Sequence, residues 1–121
     1  MLIKTEYKNV RPYTTKDGSL IRELMHPDTH GNSMQSIAEA TVAAGLSTVL
    51  HQHHRVEEIY HVIEGLGVVI LGSEQVEVTA GDTICIPPGT RHKIKNMGEE
   101  PLKILCCCSP AYSHDDTQLL E

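Results

Sequence analysis

The chain has 121 residues, with 10 Lys and Arg against 16 Asp and Glu and a net charge of −6. That length suits one domain with a core of its own, and an acidic balance without a basic run argues against a nucleic-acid or anionic-membrane partner. Phe and Trp are absent and Tyr is scarce, so the core must come from Ile, Val, Leu and Ala, whose β-branched members favour strands.

The opening stretch MLIKTEYKNVR lacks a charged head followed by an apolar run, so it does not read as a signal peptide. Residues 1–35 are irregular, and PYTTKDGSLIRELMHP within them suggests a hairpin or an arm of the kind that dresses a dimer. From 36 to 109 turn signals recur at short intervals: Ala43-Ala44-Gly45, Gly65, Gly72-Ser73, Ala80-Gly81-Asp82, Pro87-Pro88-Gly89 and Met97-Gly98. Between them STVLH, EEIYHVI, GVVIL, EQVEV, DTICI, RHKIK and LKILC are of strand length, and several alternate apolar with polar residues. The pattern predicts an all-β antiparallel barrel or sandwich. Residues 110–121 leave the sheet at Pro110, and a short helical turn capped near Ser113 is expected there. No apolar run approaches the length of a membrane span. Cys85 and the run Cys106-Cys107-Cys108 make a poor disulfide framework, which points to a reducing cytoplasm.

Chemistry concentrates in two segments, GLSTVLHQHHRVEEIYHVIEG from Gly45 to Gly65 and GDTICIPPGTRHKIKN from Gly81 to Asn96. Side chains on a strand alternate faces, so His51 and His53 point the same way. A turn through His54 and Arg55 brings Glu58 back to the same patch, on a strand where Glu58, Tyr60 and Val62 share a face. His92 arrives from a separate strand after the Pro-Pro-Gly turn. Three neutral imidazoles and one carboxylate suit a single divalent transition metal, Fe, Mn, Ni, Cu or Zn, with positions left open for water or substrate. A closed structural zinc site would more often use Cys at short spacing.

These segments resemble the two motifs of a small single-domain cupin, of the cupin 2 type. Gly45, His51, His53, Glu58 and Gly65 fill the first motif, and Gly81, Pro87, Gly89, His92 and Asn96 fill the second. The resemblance implies a double-stranded β-helix (jelly-roll) barrel over about 36–109, with an N-terminal arm at 1–35 and a tail at 110–121. It makes His51, His53, Glu58 and His92 the metal ligands, and assigns the Gly, Pro and Asn positions to turns. It also implies a homodimer, for which Ile3 to Val10 is a candidate exchanged strand.

Other residues near the motifs carry weaker expectations. Tyr60 could donate a hydrogen bond into the site or simply fill the barrel. Glu57 is the alternative carboxylate, but its parity is wrong. His54 and His61 are expected to face outward, and alternation turns Arg91 away from His92. Arg22 and Glu23 reach the mouth only if the N-terminal arm folds over it. Cys106 and Cys108 share one strand face and Cys107 takes the other, so the run cannot converge on one ion; these and Cys85 are expected to pack as small buried apolar groups.

An open metal centre of this charge would bind a small anionic molecule that chelates through two oxygens, and dioxygenase-type chemistry is the expected use. A Lewis-acid isomerase, epimerase or lyase acting on a sugar or keto acid is the alternative, although it would need a general base, for which only Tyr60 and Glu57 are at hand. A non-catalytic binder of a metal or small ligand is the third reading.

Overall fold

Alternating burial is the rule along the strands: on β5 (Glu57–Glu64), Glu58, Tyr60 and Val62 are buried while Glu57, Ile59 and Ile63 are exposed. The computed structural model describes Met1–Glu121. The strands are β1 (Tyr13–Thr14), β2 (Leu20–Met25), β3 (Ser36–Val42), β4 (His51–His53), β5, β6 (Leu66–Leu71), β7 (Glu74–Thr79), β8 (Thr83–Ile86), β9 (His92–Asn96), β10 (Leu102–Ser109) and β11 (Thr117–Leu119). Helix is confined to a 3₁₀ turn at Tyr7–Asn9 and a single α-turn at Pro27–His30. No helix is long and apolar enough to cross a membrane.

Two sheets face each other, one in the order β1-β2-β3-β10-β5-β8 and the other in the order β11-β4-β9-β6-β7. Every pairing within them is antiparallel. This is the all-β barrel that the turn spacing predicts. Its core is built from Ala40, Val42, Tyr60, Val62, Val69, Val78, Ile86, Ile94, Leu102 and Ile104, all buried, and Ala40, Val42, Tyr60 and Ile104 also line the cavity. No Phe or Trp is needed, because two inward faces rich in Val and Ile interdigitate over the thin core of a small barrel.

Three motif residues act on the backbone. Gly65 has φ +102, and a Cβ there would lie 2.9 Å from the Cα of Leu102, so both conformation and space demand glycine. Gly89, at φ +75, donates its N–H to the His53 carbonyl at 2.6 Å and so ties the Pro-Pro-Gly turn to β4. Buried Asn96 closes the turn after β9: its Nδ2 donates to the carbonyls of Val42 (2.9 Å) and Glu100 (2.8 Å), while its Oδ1 accepts from Gly98 N (2.8 Å).

The flanks meet their expected form in part: the hairpin expected within 12–27 is present, and the rest differs. Residues 13–25 are a hairpin that extends the six-stranded sheet beside β3, so much of the N-terminal arm is part of the barrel wall. Ile3–Val10 forms no strand. It is tied to its own sheet by Thr5 Oγ1 donating to the Leu24 carbonyl, Tyr7 Oη to Glu39 Oε1, and Arg22 Nη1 to the Val10 carbonyl. The helical turn expected near Ser113 does not form. Ser113 Oγ instead accepts from Asp115 N in a tight turn, and Thr117–Leu119 then pair with β4, whose edge would otherwise be open. Cys85 is exposed rather than packed, because β8 turns its odd-numbered positions outward.

Candidate metal centre

His51 and His53 stand on β4 two residues apart, both buried and both facing inward. His92 opens β9 and pairs in register with His51, and Glu58 lies on β5 in the opposite sheet. The site therefore bridges the two sheets. One ligand-capable atom from each of the three histidines falls within 4.8 Å of the others, so these buried rings could hold a metal ion. Glu58 Oε1 lies 3.2 Å from His53 Nε2 and 3.5 Å from His92 Nε2.

Hydrogen bonds settle which nitrogen of each ring carries the proton. His51 Nδ1 faces the Val49 carbonyl at 2.7 Å and His92 Nδ1 faces the Thr90 carbonyl at 2.8 Å, and a carbonyl can only accept. His53 Nδ1 faces Thr117 Oγ1 at 3.0 Å, and that hydroxyl already donates to the Ser113 carbonyl at 2.8 Å, so it too must accept. All three rings thus hold their proton on Nδ1 and turn the Nε2 lone pair inward. Fixing the outer nitrogen in this way is how proteins orient imidazole ligands.

The inner atoms then lack partners. Glu58 Oε1 and His92 Nε2 are buried and have no hydrogen bond. Burial raises the Glu58 pKa, but hydrogen bonding and charge attraction from the facing His53 and His92, which require a proton on the inward side in the metal-free chain, outweigh it and hold the carboxyl at about 2. Burial, aided by the neighbouring His92, lowers the His51 pKa below 6.5 and favours a neutral ring. Acceptor atoms facing one another across 3.2–3.5 Å need a cation among them. A proton can serve one pair, whereas a divalent ion satisfies the whole set. The residues present fit a transition metal.

The walls place the remaining candidates. Cys108 Sγ donates to Glu58 Oε2 at 3.4 Å, which turns Oε1 toward the histidines. Burial and the Glu58 charge raise the pKa of Cys106 and Cys108, so both stay protonated thiols facing the cavity. Tyr60 also lines the cavity, its ring 6.1 Å from that of His92. Burial first, then the Glu58 charge, raise its pKa well above 10, so it can donate a proton-bearing hydroxyl but cannot serve as a base. Glu57 and His54 are exposed, His61 turns outward to Thr83 Oγ1 at 2.8 Å, and Arg91 points away from the site. Glu23 lines the cavity, whereas Arg22 occupies the other face of β2, near Glu39.

Four contributors escape a reading of the sequence. Asp17, in the turn between β1 and β2, places Oδ2 3.7 Å from His51 Nε2. Its Oδ1 accepts from Ser19 N (2.9 Å) and Ser19 Oγ (2.6 Å), and its carbonyl accepts from Val49 N (2.8 Å), so the carboxylate is held at the cavity. Lys16-Asp17-Gly18 signals a turn and nothing more. Thr117, Tyr112 and Asp116 come from the tail, where no motif marks them. Tyr112 sets its ring edge-on to His53 at 5.8 Å. Asp116 accepts from the backbone N–H groups of Arg55 and Val56 and so holds the turn between β4 and β5. The enclosed space is about 50 Å³, room for an ion and a few small-ligand atoms before the cavity opens to solvent.

The family model described as the cupin domain matches residues 38–108. MJ1618 of Methanocaldococcus jannaschii is 57% identical over 120 residues, which cover 99% of this chain and 96% of that protein. The tetracenomycin polyketide synthase protein TcmJ of Streptomyces glaucescens is 28% identical over 107 residues, covering 88% of this chain and 71% of TcmJ. Among solved structures, the Streptomyces nucleoside dehydratase Pac13 superposes with a TM-score of 0.82 at 21% identity, covering 100% of this chain and 92% of Pac13.

Proposed function

The chain belongs to the cupin family, and from that premise we propose that it is a metal-dependent enzyme acting on a small molecule that chelates through two oxygens. His51, His53 and His92, through Nε2, and Glu58, through Oε1, would hold one divalent transition metal. The observation that carries this reading is the pinning of all three rings through Nδ1, which turns the three Nε2 atoms inward toward Glu58 and leaves Glu58 Oε1 and His92 Nε2 buried without a hydrogen bond. The donor set accepts Fe, Mn, Ni, Cu or Zn. Such an ion supplies Lewis-acid polarisation of a chelated oxygen pair, or redox chemistry if it is iron.

Around that centre the chain's own groups favour proton transfer. Tyr60 keeps its phenol proton and can donate to a substrate oxygen. Asp17 Oδ2 faces the cavity as an acceptor for a proton from a substrate carbon or hydroxyl, the role that neither Tyr60 nor Glu57 can fill. Enolisation, isomerisation or loss of water is the class of reaction these groups suit. Dioxygenase-type turnover is the second reading, favoured by the mixed imidazole and carboxylate donor set. We place the protein in the cytoplasm, where its four free thiols would stay reduced. We also propose a homodimer, for which light scattering at the mass of one chain would be the refuting result.

The test is elemental analysis of untagged protein, followed by turnover of dicarbonyl and hydroxy-acid panels with and without air. Product formed without oxygen uptake supports proton transfer, and product that requires oxygen supports the second reading. Saturable binding without product in either condition overturns the enzyme reading.

A further inference from the structure

The lining of the cavity bears on which substrates can enter it. No Lys or Arg is among the residues that line it, while Asp17, Glu23 and Glu58 all do. The nearest cation in sequence, Lys16, is turned away and donates to the carbonyls of His114 (2.8 Å) and Thr117 (2.9 Å). Arg22 is spent on the outer face, where it donates to the Val10 carbonyl and lies 3.8 Å from Glu39. With neutral imidazoles, a divalent ion and Glu58 leave one positive charge; Asp17 cancels it, and Glu23 turns the cavity negative. These carboxylates also retain accepting capacity. Asp17 Oδ2 has no donor, and Glu23 receives only a long bond from Thr29 Oγ1 at 3.4 Å. Tyr13 and Tyr112 complete the outer wall with phenol groups.

We infer that the site selects substrates with a single negative charge at the chelating end and hydrogen-bond donors, hydroxyl or ammonium, at the outer end, and that it rejects phosphorylated and dicarboxylate compounds. The inference rests on the metal-dependent reading above and narrows its substrate class. A second anionic group would have to sit against Asp17 and Glu23 with no cation in reach, and like charges brought together in a cavity are a strong means of exclusion. A hydroxyl in the same place would meet two waiting acceptors.

Cobalt(II)-loaded protein provides the test, with the visible spectrum of the ion as readout. Glycerate and 3-phosphoglycerate share one 2-hydroxy-acid end and differ only in the outer group, and malate adds a second carboxylate. Glycerate is expected to bind at least about tenfold more tightly than either. The variant Glu23→Gln, which lies away from the proposed ligands, is expected to take up cobalt as before and to lose much of that preference. Equal affinity for the three probes, or a preference unchanged in Glu23→Gln, overturns the inference. Silence from all three on protein that has taken up cobalt overturns this substrate class and leaves the metal centre standing. Failure to take up cobalt at all overturns the proposed function, and the inference with it.

Discussion

Thr117 fixes the protonation of His53, a residue 64 positions earlier, by accepting from Nδ1 at 3.0 Å while its own proton goes to the Ser113 carbonyl at 2.8 Å. The final strand therefore acts on the site through one hydroxyl. Thr117→Val keeps the shape and the backbone pairing with β4 but removes the acceptor. Metal affinity, measured by competition with a chromogenic chelator, is expected to fall about 10- to 100-fold, with the strand content in circular dichroism unchanged. Thr117→Ser should restore it. Full affinity in the Val variant would mean that the hydroxyl serves packing alone.

His92 is completely buried, and its Nε2 has no partner in the chain. Nothing in the fold requires that atom, so the imidazole is retained for what it faces. His92→Ala, and equally His51→Ala, is expected to abolish metal binding while the barrel still folds. Elemental analysis should drop from about one ion per chain to none, with the far-ultraviolet spectrum preserved. Collapse of the spectrum would instead mean that the ion is needed for folding.

Much of this was legible in the sequence because turn chemistry and strand parity are local. Gly65, Gly89 and Asn96 sit where the backbone needs them, and the i, i+2 spacing of His51 and His53 already places both rings on one face. Glu58 was reachable by the same parity, as was the rejection of Glu57. What stayed hidden depends on which remote strands meet. Asp17 looks like turn punctuation until the hairpin lies against the loop before β4, and Thr117 looks like tail until β4 needs an edge partner. Cys85 departs from its expected burial because strand parity puts it on the outer face of β8, opposite Ile84 and Ile86, and a flanking pair of Ile does not make its own face buried.

Asn96 offers a control that separates architecture from ligation. It makes three hydrogen bonds in a buried turn and touches no proposed ligand. Asn96→Ala leaves those backbone groups without a partner, a loss of about 2–4 kcal/mol. Thermal unfolding is expected to shift down by roughly 5–20 °C. Metal stoichiometry at low temperature should stay at about one per chain. Loss of metal with an unchanged melting temperature would reverse the assignment.

Acid should destabilise the metal-free protein in two stages. The His51 ring is held below its ordinary 6.5 by burial and by His92, so the folded state binds that proton less readily than the unfolded chain does. Its contribution is present above pH 6.5 and is lost as the pH falls below that value. Glu58 is held at about 2 against an ordinary 4.5, because His53 and His92 outweigh the opposite effect of burial. Its contribution, on the order of 3 kcal/mol, is present above pH 4.5 and is lost as the pH falls toward 2. Urea midpoints measured from pH 8 to 3 should hold level to about 6.5 and then decline, steepening below 4.5. Saturating metal should move the first decline to lower pH, since protons and the ion compete for the same Nε2 atoms. A flat profile between pH 7 and 4, with or without metal, would mean that these four groups do not form one linked site.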